Sequence, residues 1–198
     1  HIKTGWRRLH QTFGGIGLLH LPTEQLISRI NLFLQHYHTS SSISQKLDAS
    51  LHYLQLQLGT TDCPFTLPYE RWQHLAPLSW VKMLWRTIQR ANIDLHVTYK
   101  EMPLPHQGDS VLMQLIALIV TGPDHLASLN RCRCALHIMF LSDITSADGR
   151  KLRSELVKGR PTALRSSLRF PRECPTPSDW KFWEEFWGRY TYDGLTLW

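Results

Sequence analysis

The sequence predicts a mainly α protein, an irregular helical bundle with long loops and little β-strand. Three observations carry that expectation. Apolar residues recur at helical spacing in several separate segments, polar or Pro- and Gly-containing turns punctuate those segments, and only one stretch alternates as a strand would. The 198 residues are 42% hydrophobic and 19% charged, the balance of a folded domain rather than a disordered chain. The expected organisation is a basic arm and Gly-rich turn over 1–20, a helical domain over 21–140, and a basic loop region with a C-terminal aromatic helix over 141–198, packed as one unit.

Residues 1–20 read as an arm and a turn, because Gly14-Gly15-Ile16-Gly17 permits tight backbone approach. No Gly-Lys-Ser/Thr follows, so the turn is not a phosphate-binding loop. From Pro22 onward Leu26, Ile27, Ile30, Phe33, Leu34 and Tyr37 form one helical stripe, with Thr23 as its cap. The run Thr39-Ser40-Ser41-Ser42 ends that helix and caps a second. The second carries Ile43, Leu47, Leu51, Leu54 and Leu58 and stops at Gly59, which predicts an αα-hairpin. Residues 59–77, with Pro64, Pro68 and Pro77, read as a loop. Trp80, Val81, Leu84, Trp85 and Ile88 then mark a third helix, whose other face carries Lys82, Arg86 and Arg90 as a solvated basic stripe.

Ile93, Leu95, Val97 and Tyr99 alternate with polar residues and give the best strand candidate. Asp109 is placed to cap a buried helix reaching Val120. Gly122-Pro123 opens another, with Leu126, Leu129, Cys132, Leu136, Met139 and Phe140 inward and Arg131 and Arg133 off that face. Residues 142–176 read mostly as loop, with a short helix near 150–157. Thr176-Pro177-Ser178-Asp179 is a strong helix start, and Trp183, Phe186, Trp187 and Tyr190 form an aromatic stripe behind it.

Charge is distributed unevenly. Residues 1–130 hold ten Lys and Arg against eight Asp and Glu; residues 131–172 hold ten against three, a net of +7; residues 173–198 hold two against five. Dense positive charge attracts phosphate backbones through counterion release. The candidate nucleic-acid-binding residues are therefore Lys3, Arg7 and Arg8 in the arm, with Arg131, Arg133, Arg150, Lys151, Arg153, Lys158 and Arg160 in the basic stretch.

Several chemistries find no support. A two-metal polymerase or nuclease clusters carboxylates around Mg²⁺, but the chain has no Asp-Asp pair, and Glu184 and Glu185 are helix neighbours that point apart. Cys132-x-Cys134-x-x-His137 does not match zinc-ligand spacing. His106, Asp109 and Ser110 lie close in sequence without a nucleophile elbow. Four cysteines are too few for a disulfide scaffold, which predicts reduced thiols and an intracellular setting, nucleus or cytoplasm. No apolar run reaches the ~18 residues of a spanning helix, so no membrane partner is expected. The chain opens on His1 and reads as a piece of a longer protein.

An ordered set of short motifs then carries a resemblance. Gly14-Gly15-Ile16-Gly17-Leu18 precedes a long amphipathic helix. Leu129-Asn130-Arg131-Cys132-Arg133 leads to Leu141-Ser142-Asp143-Ile144 and Gly149-Arg150, followed by Pro175-x-Pro177-Ser178-x-Trp180-x-x-Trp183 and Leu195-x-Leu197-Trp198. Together they resemble the post-polymerase, C-terminal region of non-LTR-type retrotransposon reverse transcriptases. The resemblance implies a role within an RNA-directed DNA polymerase, with RNA or an RNA–DNA hybrid and the upstream polymerase domain as partners. Mg²⁺ would belong to that polymerase core, so no cofactor and no catalytic residue is assigned to this chain. The alternative is a helical protein-interaction module that does not bind nucleic acid.

Overall fold

The computed structural model describes residues 20–37, 39–95, 97, 102, 104–160 and 168–192. Among them the protein is an irregular helical bundle with no sheet, as the periodicity predicts. Its helices are α1 (Leu21–His36), α2 (Ser42–Leu58), α3 (Tyr69–Trp72), α4 (Trp80–Arg90), α5 (Leu112–Ile119), α6 (Pro123–Ala135), α7 (Leu141–Ile144), α8 (Ser154–Val157) and α9 (Pro177–Arg189). The Gly14–Gly17 turn, Lys3, Arg7, Arg8 and the Leu195–Trp198 motif lie outside the described residues.

The first hairpin forms for the reasons its sequence supplies. Ser41 accepts a hydrogen bond from Ser44 N and so caps α2, and Gly59 closes that helix in the left-handed region at φ 69°. A Cβ at Gly59 would lie 2.5 Å from Met113 Cγ and 3.0 Å from Arg133 Cζ, so the position also makes room for two neighbouring side chains. In α1 Leu26 and Phe33 are buried, whereas Ile27 and Leu34 are exposed, so the buried stripe is narrower than the apolar pattern. Thr23 is not the cap of α1. His20 takes that position, and its Nδ1 lies 2.6 Å from Thr23 Oγ1.

Residues 59–77 depart from the loop reading. Two 3₁₀ turns, Pro64–Thr66 and Gln73–Leu75, flank α3, and Phe65, Tyr69, Trp72 and Leu75 are buried. The prolines fix a compact path that delivers these side chains to the core. Trp85 lies fully buried above them, edge-on to Tyr69 at 4.9 Å, with its Nε1 donating to Leu67 O at 3.0 Å. The expected strand is not formed by its described residues Ile93, Asp94, Leu95 and Val97; His96, Thr98 and Tyr99 fall outside the description. Alternation without a neighbouring strand gives the backbone no ladder to join. The described extended pairings are isolated bridges, Val111 with Phe140 and Thr145 with Leu152.

One main core runs from Leu26 in α1 to Trp187 in α9, so Ile144, Leu152, Leu156, Val157, Trp183, Phe186 and Trp187 share the interior of the helical region. The start of α9 follows its sequence signature. Thr176 Oγ1 accepts from Asp179 N, and Asp179 returns a carboxylate to Thr176 N in a capping box, a feature worth ~1 kcal/mol. Trp183, Phe186 and Trp187 are buried against α6 and α8, and Trp183 Nε1 donates to Leu156 O at 3.0 Å. The aromatic stripe of α9 is therefore core, with Tyr190 alone partly exposed.

Candidate nucleic-acid interface

The ten basic positions expected to face nucleic acid divide into three groups. Lys3, Arg7 and Arg8 lie outside the described residues. Arg131 and Arg133 are structural. Arg150, Lys151, Lys158 and Arg160 are exposed, with Arg153 half-buried beside them.

Arg133 corrects the expectation most sharply, because its side chain is fully buried rather than projecting from α6. Nε donates to Asn130 Oδ1 at 3.0 Å, Nη1 to Ile138 O at 2.9 Å and Nη2 to Leu56 O at 2.6 Å. Phe170 covers it, with the ring centroid 5.6 Å from Cζ. Burial pushes the guanidinium below its ordinary value, while the nearby Cys134, Asp143 and Glu173 oppose that shift. The guanidinium thus joins three segments: the C-terminal carbonyls of α2, Asn130 within α6 and the turn after α6.

Arg131 is also committed. Its Nε and Nη2 grip the Asp179 carboxylate at 3.1 and 2.5 Å, and Ser128 Oγ donates to the same carboxylate at 2.6 Å. The Arg131 guanidinium, joined by the Ser128 hydroxyl and the Thr176 N–H, holds the Asp179 carboxyl well below the usual carboxylate range despite its burial. This bidentate pair clamps α9 onto α6 and cancels the Arg131 charge locally.

The exposed cations sit on a well-braced platform. Thr145 and Leu152 pair across a tight turn in which Ser146 N donates to Lys151 O at 2.6 Å and Gly149 N to Ser146 O at 2.8 Å. Gly149 takes φ 69°, which an L side chain resists. Asp148 turns inward on this loop, accepting from Ser146 Oγ at 2.5 Å and Arg150 N at 3.2 Å. Its carboxyl is lowered chiefly by the Ser146 hydroxyl. Ile144, Leu152, Leu156 and Val157 anchor the segment from beneath. Arg153 Nε donates to Thr145 O at 2.9 Å, so that side chain braces the turn. Arg150 and Lys151 are left at the tip, with Lys158 and Arg160 at the end of α8. Among the described residues none of these four forms an ion pair.

The basic stripe of α4 also divides. Lys82 is buried, and its Nζ donates to Gln73 O and Ala76 O; burial lowers its pKa. Arg86 and Arg90 instead border an open groove of about 450 Å³ between α1 and α4. Sequence reasoning passed over that groove because an i, i+4 pair of arginines is what any solvated helix face shows.

Among the described residues no group of three His, Cys, Asp or Glu could hold a metal ion, and no helix is long and apolar enough to cross a membrane. Cys63, Cys132, Cys134 and Cys174 are free, and burial pushes the Cys132 thiol up to about 12. Asp109 does not cap α5; it accepts from Ser110 N at 2.8 Å and from Ser142 Oγ at 2.5 Å, tying the segment before α5 to α7. In comparisons with known proteins no family model matches the chain, and neither a curated protein nor a solved structure matches it significantly.

Proposed function

We propose that this chain is a non-catalytic region of a retroelement reverse transcriptase that holds template–primer nucleic acid through the turn and helix end spanning residues 145–160. The observation that carries this reading is the platform itself. Four cations, Arg150, Lys151, Lys158 and Arg160, stand exposed and free of ion pairs among the described residues, on a segment whose apolar side is locked into the core. Side chains of this kind neutralise phosphates and position a duplex without reading bases. The ordered motifs of the sequence supply the polymerase context.

The test is binding of the purified chain to an RNA–DNA hybrid across a salt series. Affinity falls with salt, and Arg150→Ala combined with Lys151→Ala lowers the salt dependence by about 0.9 log units per lost duplex-phosphate contact. Equal binding by this variant and the parent, or no binding at low salt, rejects the role.

A second reading, a docking module for protein, is favoured by Leu118 and Ile119, which stand 81% and 46% exposed at the end of α5. Under that reading the isolated chain self-associates in sedimentation, and Leu118→Ser abolishes the self-association.

A further inference from the structure

The groove between α1 and α4 carries a charge pattern that the fold does not explain. Its lining includes Arg86 and Arg90 from α4, His20 and Thr23 from the start of α1, and Thr87. Arg29 reaches across from α1, its Nη1 donating to Thr87 Oγ1 at 3.3 Å. Two guanidiniums and an imidazole therefore line one opening, with Arg29 bonded to Thr87 of its wall. Among the described residues no carboxylate lines it: α4 contains no acidic residue, and Glu24, the sole acid of α1, is not part of the wall. Among the described residues no ion pair neutralises Arg29, Arg86 or Arg90. Like charges one helical turn apart, as Arg86 and Arg90 are, repel. An anion seated among them removes that cost.

We propose that this groove binds the phosphate group of a nucleic-acid strand. Arginine supplies the forked donors that match phosphate oxygens, while the Thr87 hydroxyl already donates to Met83 O at 2.6 Å and Thr23 Oγ1 is held by His20 Nδ1 at 2.6 Å, so the arginines are the donors this wall offers. The floor is apolar, with Leu26 and Met83 beneath the arginines, which suits the sugar or base attached to the phosphate better than a bare inorganic ion. The volume falls within the ~300–1,000 Å³ of small-ligand sites, and the open mouth lets a polymer pass through. The choice of a strand over a free nucleotide rests on the function proposed above; the phosphate chemistry of the groove does not.

The experiment follows the Nε–H resonances of Arg86 and Arg90 by NMR in the whole chain. The probes are sodium phosphate, adenosine 5′-monophosphate, a single-stranded RNA 12-mer and an RNA–DNA hybrid, all at matched ionic strength. The expected result is movement of both resonances with the 12-mer or the hybrid at concentrations where phosphate has no effect. In Arg86→Gln/Arg90→Gln, whose folding is checked by circular dichroism, the salt dependence of strand binding falls by about 0.7–0.9 log units per contact. Movement with adenosine 5′-monophosphate but not with either strand overturns the strand assignment and makes the groove a nucleotide site. Movement with phosphate alone, or no movement, overturns the proposal. The two sites fail separately: if Arg150→Ala/Lys151→Ala binds hybrid as the parent does while Arg86 and Arg90 still respond, the turn loses its role and the groove keeps its own.

Discussion

Arg131 and Arg133 in α6 and Arg150 and Lys151 in the following turn belong to the same basic stretch of sequence, yet they have opposite fates. The helix arginines are consumed by the fold, one by four hydrogen-bond acceptors in the interior and the other by a buried carboxylate. The turn residues are bonded through their own backbone atoms, Arg150 N to Asp148 and Lys151 N and O to Ser146, and their side chains face solvent. Charge density along a chain therefore overstates charge on a surface. Two cations spaced two apart on an amphipathic helix cannot both lie on its polar face, and here the neighbouring carbonyls of α2 give the inward one its partners.

That contrast can be broken at its strong end. Arg133→Ala leaves Leu56 O, Ile138 O and Asn130 Oδ1 without their donor and opens a cavity under Phe170. The expected loss of stability is about 3–5 kcal/mol, read by urea denaturation. An unchanged midpoint would show that the buried guanidinium does not brace the three segments.

Asp179→Asn is expected to cost less, about 2 kcal/mol at neutral pH, because the amide keeps part of the network with Arg131, Ser128 and Thr176. The pH dependence has a fixed sign. The folded-state pKa of Asp179 is depressed, so the unfolded chain binds more protons and stability rises with pH. The contribution is complete above the ordinary carboxylate value of about 4 and is lost as pH falls through the lower folded-state value. Asp179→Asn flattens that acidic limb; an unaltered acid profile would place the clamp elsewhere.

The weak end of the contrast is Arg150→Ala with Lys151→Ala. These exposed side chains make no ion pair among the described residues, so stability should stay within about 0.5 kcal/mol of the parent while salt-dependent hybrid binding drops. A large thermal destabilisation would make the turn cations structural, like their helix counterparts.

The helices were legible where local chemistry decides. Ser41, Gly59, Pro123 and Thr176 announce their ends, and the Leu47–Leu58 and Trp80–Ile88 stripes announce their buried faces. The 59–77 segment was not legible, because proline-rich stretches without periodicity give no sign of whether their aromatics point inward. Nor was the division of the basic residues. Lys82 matches Arg86 and Arg90 in type and spacing, and only the carbonyls of Gln73 and Ala76 draw it inside.

The sequence by itself determined a helical protein with a concentrated excess of positive charge, since periodicity, caps and composition act over one or two helical turns. Only the tertiary structure decided which cations remain available to a ligand. That outcome depends on acceptors arriving from elsewhere in the chain: Leu56 for Arg133, Asp179 for Arg131, and, among the described residues, no carboxylate in the groove of Arg86 and Arg90. A buried charge persists where long-range packing supplies its hydrogen bonds, and no local pattern encodes which distant group will do so.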